Sequence, residues 1–122
     1  MTLATLVTVC AVITVMILAS LAFAFWSNPA RGLAQTTHRI ELLPLVLADR
    51  YMAFALLAMA VLFLGDLALM AVFFAVCAFM GFADGLIYAR AGHPHMKHTI
   101  SGVLSVIALG VTLAALIVEK GL

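Results

Sequence analysis

The chain has 122 residues, of which 67% are hydrophobic and only 9% are charged, and its formal net charge is +1. A soluble domain is typically about 45–50% apolar and about 25% charged, and a domain this small cannot hide so much apolar surface from water. The near-neutral charge and the lack of a basic stripe also argue against nucleic-acid binding.

Four long apolar runs predict four transmembrane helices, because about 20 apolar residues span the hydrocarbon core of a bilayer. The first run, over residues 3–26, lacks a preceding basic residue and is too long for a secretory signal peptide. A polar loop follows it, in which Pro29 and Gly32 are expected to end the helical continuity of the first span.

The second helix is predicted over 43–65, with Pro44 in the first turn, where no backbone N–H is needed. The third helix is predicted over 66–90, with Asp66 as its N-cap, and the fourth over 98–118 after a polar loop. The predicted fold is therefore an all-α, integral membrane four-helix bundle, with residues 1–122 forming a single domain.

The basic residues predict the orientation of the chain in the membrane. The first and third loops carry Arg31, Arg39, Arg90 and Lys97, whereas the opposite side has only Lys120. The positive-inside rule then places these two loops in the cytoplasm and both termini outside it.

Three ionisable residues interrupt the apolar runs: Asp49 and Arg50 in the second helix and Asp84 in the third. Ionisable residues within membrane helices usually face a protein interior or a water-filled cavity. In the predicted orientation all three lie in the cytoplasmic half of the bundle. Arg50 either extends to the membrane interface along its apolar stem or pairs with Asp84 or Asp49.

The candidate catalytic residues are Asp84, Tyr88 and His98. Tyr88 follows Asp84 by one helical turn, and His98 opens the fourth helix. An imidazole with a carboxylate partner is a common acid–base arrangement, because imidazole titrates near neutral pH. The candidate ligand-binding residues at a similar depth are Arg50, Asp49, Ser101 and Ser105.

Small residues recur at helical spacing in the third and fourth helices. Gly81 and Gly85 form a Gly-xxx-Gly motif, which lets two membrane helices approach closely. The fourth helix carries a stripe that either faces inward as part of a site or serves packing alone; its members are His98, Ser101, Gly102, Ser105 and Thr112.

The sequence does not identify a cofactor. If the protein holds a metal ion or a haem, the candidate ligands are His93, His95 and His38, with His98 completing an H-x-H-x-x-H pattern. No Cys or carboxylate in the same loop completes a familiar ligand set, so a solvated loop is the default interpretation.

Several short motifs follow one another along the chain: Asn28-Pro29-Ala30-Arg31, Arg50, Gly65-Asp66, Asp84 and His98. In these features, over most of its length, the chain resembles a family of short four-helix bacterial membrane proteins known only as a domain of unknown function. The resemblance implies the architecture and a bacterial inner membrane, but no activity. Small multidrug-resistance transporters, glutathione-handling membrane enzymes and haem-dependent epoxide isomerases match the residue pattern less well.

The leading hypothesis is a membrane protein that binds a small, largely apolar ligand in a polar pocket, with isomerase- or cyclase-type acid–base chemistry if it is an enzyme. One alternative is an oligomeric transport or proton-relay unit that uses Asp49 and Asp84. Another is a structural or accessory subunit that docks through Gly81 and Gly85. The predicted partners are the lipid bilayer, the apolar ligand and further copies of the chain, without nucleic acid.

Overall fold

A computed structural model describes residues 2–121. Its helices are α1 (Leu3–Ser27), α2 (Pro29–Gln35), α3 (Leu43–Leu64), α4 (Leu67–Arg90) and α5 (Met96–Lys120), with a 3-10 turn at Ile40–Leu42 before α3. The four long helices are each long and apolar enough to cross a membrane. The all-α, four-helix membrane class is thereby confirmed, and the chain is a multi-pass membrane protein.

The segment after α1 differs from the predicted loop, because it contains the short helix α2. Asn28 has an extended backbone that ends α1, and its side-chain oxygen accepts a hydrogen bond from the Arg31 amide at 3.0 Å. Pro29 then occupies the first position of α2, where its missing N–H costs nothing. The first helix does end before Pro29, as predicted, but the loop predicted after it was wrong, since Pro29 starts a helix and Gly32 lies within it.

The other helix ends agree closely with the sequence prediction. The bounds of α1, α3 and α4 fall within one residue of those predicted, whereas α5 is two residues longer at each end. The predicted cap of α4 is also confirmed. One carboxylate oxygen of Asp66 accepts hydrogen bonds from the amides of Ala68 at 2.8 Å and Leu69 at 3.2 Å.

Replacing Asp66 with alanine should destabilise the start of α4. The two amides would lose their acceptor within the chain, and the loss of an N-cap typically costs about 1 kcal/mol. We expect faster hydrogen exchange at Ala68 and Leu69 in detergent micelles. Asp66→Asn is the matched control, because asparagine caps helices about as well as aspartate. Equal exchange in the two variants would contradict the capping role.

The chain divides into two compact units, Met1–Arg50 and Tyr51–Leu122, with the boundary inside α3. In the first unit α2 packs against α1. Gly32 makes this contact close, because a Cβ atom there would lie 2.7 Å from Cδ1 of Phe25. In the second unit α4 packs along α5.

The α4–α5 pair is antiparallel and is held together by small residues. Its buried positions are Ala71, Ala78, Gly81 and Gly85 on α4 and Gly102 and Thr112 on α5. A Cβ atom on Gly81 would lie 2.5 Å from the backbone nitrogen of Gly102, so the two backbones touch at this point. This confirms the packing interpretation of Gly81 and Gly85. Both glycines pack against α5 of the same chain, so they are not available to a partner as a docking face.

Candidate acid–base site

The antiparallel α4–α5 pair brings Asp84 and His98 together near the loop that joins the helices. Oδ2 of Asp84 lies 3.7 Å from Nδ1 of His98, and the two side chains are 50% and 34% exposed, respectively. The distance is longer than a hydrogen bond but within the range of an ion pair between a carboxylate and a protonated imidazole. Two proton-carrying groups therefore face each other at a position that is open on one side.

Tyr88 completes the predicted group of three. It follows Asp84 by one turn of α4, and its ring stacks on the His98 ring with centroids 4.8 Å apart and planes 26° from parallel. Tyr88 is itself 44% exposed. The stacking restricts tilting of the imidazole, whose Nδ1 atom lies on the side of Asp84. The structure thus brings together all three residues predicted as catalytic.

His93 joins the cluster through the turn that ends α4. Gly92 adopts a left-handed backbone with φ +73°, and the amide of His93 donates to the carbonyl of Tyr88 at 2.9 Å. These contacts form a helix-ending motif that favours glycine. The turn places the His93 ring edge-on to Tyr88, with centroids 6.4 Å apart. From the sequence, His93 was considered only as a metal ligand. Gly92, which favours a helix end of this kind, was the sequence feature that could have placed His93 next to Tyr88.

His95 and Thr99 form a second, local pair at the start of α5. The Thr99 hydroxyl donates to the carbonyl of His95 at 3.3 Å and lies 3.1 Å from Nδ1 of the same histidine. Gly85 leaves room for this threonine, because a Cβ atom on Gly85 would lie 2.8 Å from Oγ1 of Thr99. The pair fixes the first turn of α5, from which His98 projects.

The predicted serines do not join the cluster. Ser101 is exposed, and the Ser105 hydroxyl donates to the backbone carbonyl of Ser101 at 2.9 Å. This bond lies within α5 and is common for serine in membrane helices. Of the five stripe residues, Gly102 and Thr112 are buried in the α4–α5 interface, whereas Ser101 is not.

The remaining predicted residues belong to the first unit. Asp49 and Arg50 are exposed at the end of that unit, and His38 lies in the segment between α2 and α3. Among residues 2–121, no three His, Cys, Asp or Glu side chains are grouped so that they could hold a metal ion. The histidines singled out in the sequence are thus not gathered into a metal site in the described structure.

The chemistry available to the cluster is proton transfer. The carboxylate of Asp84 and the phenol of Tyr88 are one turn apart on α4, and the imidazole of His98 on α5 lies beside both. The exposed side chains of these two helices are mostly alkyl or aromatic. Such groups act as general bases and acids when a reacting atom comes within hydrogen-bond distance. Comparison of the chain with protein-family models, with curated proteins and with solved structures finds no match.

Proposed function

We propose that Asp84, Tyr88 and His98 form an acid–base site that isomerises a small, largely apolar molecule entering from the bilayer. The observation that carries this proposal is the 3.7 Å separation of the Asp84 carboxylate and the His98 imidazole, both partly exposed. Catalytic contacts are often long in the free protein and shorten when substrate binds.

The reaction would be a proton shift along a carbon chain. Asp84 takes a proton from a carbon that lies between a carbonyl group and a double bond, because the carbonyl makes that C–H bond acidic, and the electron pair of the bond moves into the carbonyl group. Protonated His98 then delivers a proton to the far carbon, which completes the new double-bond position. Transfer of the proton from Asp84 to His98 restores both groups, so no other reactant is consumed.

The surroundings of the cluster suit a substrate that travels in lipid. Large apolar side chains are exposed on the same two helices, among them Phe82, Leu86 and Ile87 on α4. An apolar molecule loses little by leaving lipid for such a surface, so polar contacts with Tyr88 and His98 would orient it.

The membrane placement is part of the proposal. The positive loops would face the cytoplasm of a bacterial inner membrane, with both termini on the other side. Asp84 would then lie about 9 Å from Arg90 at the cytoplasmic end of α4, from six residues at 1.5 Å each. Self-association would cover part of the exposed apolar surface of the helices.

Native mass spectrometry of the protein, extracted gently from its own membrane, tests the proposal directly. We expect a bound mass other than lipid, and incubation in D2O should add deuterium to that molecule as protons exchange at the site. The Asp84→Asn protein should hold the molecule without adding deuterium. Extraction with no bound molecule, or equal deuterium uptake in both proteins, would falsify the proposal.

A proton-relay role is the second candidate, because the same partly exposed pair of titratable groups can pass a proton. It predicts proton flux across liposomes that contain the protein and loss of that flux in Asp84→Asn. Flux that persists after both Asp49 and Asp84 are neutralised would exclude a carboxylate relay.

A further inference from the structure

A cavity of about 370 Å³ lies within the first unit, between α1, the segment that follows α2, and the first turns of α3. Ligand sites in proteins typically measure about 300–1,000 Å³, so the cavity has room for a small ligand or one alkyl chain. Most of its wall is apolar and is formed by Leu18, Leu21, Phe25, Leu43, Val46 and Leu47.

The polar side chains of the cavity wall are Thr36, His38 and Arg50. The Thr36 hydroxyl already donates to the carbonyl of Gly32 at 2.8 Å, so it offers only an acceptor. Within the described part of the first unit, Arg50 forms no ion pair. The cavity thus combines an alkyl lining with a guanidinium that has no ion-pair partner among the described residues of the first unit.

Two of the three polar residues, Thr36 and His38, lie at the outer end of the cavity. Thr36 and His38 belong to the segment after α2, outside the long apolar helices. Arg50 is seven residues into α3, roughly 10 Å along the helix, a depth from which its long side chain reaches the interface. Leu18 lies nine residues before the end of α1, roughly 13 Å deeper than that end. With its side chain extended toward the interface, Arg50 would join the two polar residues at the outer end of the cavity, and Leu18 and Leu21 would line the inner end. Such an arrangement suits a molecule with a charged head and an alkyl tail.

We propose that this cavity binds a single-chain anionic amphiphile, whose carboxylate or phosphate head pairs with Arg50 and whose tail lies against the leucines. An arginine within a membrane helix is costly without a partner, and an anionic ligand supplies one. The planar guanidinium offers paired donors that match the oxygens of a carboxylate or phosphate. The site is separate from the proposed acid–base cluster and does not rest on it.

Binding of defined amphiphiles tests the proposal. The delipidated full-length protein in neutral detergent is titrated with oleate, with oleyl phosphate and with oleyl alcohol, which share one tail and differ in the head. We expect oleate or oleyl phosphate to bind at least about tenfold more tightly than the alcohol, as a charge-assisted hydrogen bond implies. The better anion identifies the head group. Nanodiscs with and without phosphatidylglycerol distinguish a free amphiphile from a bilayer phospholipid, which would compete with it.

Two variants assign the binding to the cavity. Arg50→Gln should weaken binding of the anion about tenfold and leave binding of the alcohol unchanged. Arg39→Gln removes the same charge nearby without touching the cavity wall and should bind like the unchanged protein. If Arg50→Gln does not fold, Arg50→Lys and the head-group comparison in the unchanged protein remain decisive. Equal affinities for anion and alcohol, or equal losses in the Arg50 and Arg39 variants, would overturn the proposal. Asp84→Asn should bind the anion normally, so the two sites can fail independently.

Discussion

Replacing Gly81 with alanine should lower the free energy of unfolding by about 1–3 kcal/mol, although alanine is the better helix former. The added methyl carbon would lie 2.5 Å from the nitrogen and 2.7 Å from the Cα atom of Gly102. Both are backbone atoms of α5, which cannot rotate aside as a side chain does. The helices must therefore move apart, and the contacts around Gly81 are lost.

Two further glycines turn this prediction into a ranked series. A methyl group on Gly85 would meet the Oγ1 atom of Thr99, and a side chain can adjust, so Gly85→Ala should cost less. Apart from the neighbouring residues and backbone of α5 itself, no atom lies within 4 Å of the corresponding position on Gly110, which is exposed. Gly110→Ala should therefore leave the protein unchanged or stabilise it by up to about 1 kcal/mol.

Unfolding by heat or by sodium dodecyl sulfate in mixed micelles measures the series. The expected order of stability is Gly110→Ala, then Gly85→Ala, then Gly81→Ala. In the double variant Gly85→Ala/Thr99→Ala, removal of the hydroxyl should restore most of the loss at Gly85. Equal stability of the Gly81 and Gly110 variants would show that α4 and α5 are not in backbone contact.

The close helix contact also determines the geometry of the candidate site. Gly81 and Gly85 lie on either side of Asp84 along α4, and Gly102 follows His98 by one turn of α5. A wider helix separation would move the carboxylate away from the imidazole, beyond the present 3.7 Å. Small residues in the α4–α5 interface thus bring the carboxylate and the imidazole of the candidate site within 3.7 Å of each other.

The long helices were predictable because hydropathy and capping residues act locally. The apolar runs define the four spans, and Asp66 marks the start of α4 through its hydrogen bonds to nearby amides. The helix α2 was missed because Pro29 has two meanings. Proline interrupts a helix from within but starts one at its first position, and Asn28 as N-cap decides between them.

The site was predictable in part. Helical spacing places Asp84 and Tyr88 on one face, and a short connection requires α5 to return along α4, which brings His98 back to them. The rotation of α5 about its own axis was not predictable, because it depends on the fit of Gly102 against α4. That rotation leaves Ser101 exposed, although it shares the polar stripe with His98.

The last prediction concerns Asp84 as the general base of the proposed isomerisation. Asp84→Asn should lower the rate of deuterium exchange into the bound molecule by about 10²–10⁴-fold, the usual contribution of a general acid or base. Asparagine has the same shape and stays neutral, so the site should remain intact while the proton acceptor is lost. Asp66→Asn is the control, because it makes the same chemical change in the same unit and keeps the N-cap of α4. The bound molecule should take up deuterium at the unchanged rate in this variant.

His98 provides an independent check on the same mechanism. His98→Phe keeps an aromatic ring to stack on Tyr88 but removes the proton donor, so it should slow exchange without lowering stability. Tyr88→Phe also keeps the stacked ring and removes only the hydroxyl group. A small effect of this variant on the exchange rate would show that Tyr88 orients the substrate or His98 and does not transfer a proton. If the electrostatic pair acts as a unit, the double variant of Asp84 and His98 will be no slower than the worse single variant. If the losses of exchange rate in the two single variants multiply in the double variant, the two groups act separately. The proposed transfer of the proton from Asp84 to His98 would then be wrong.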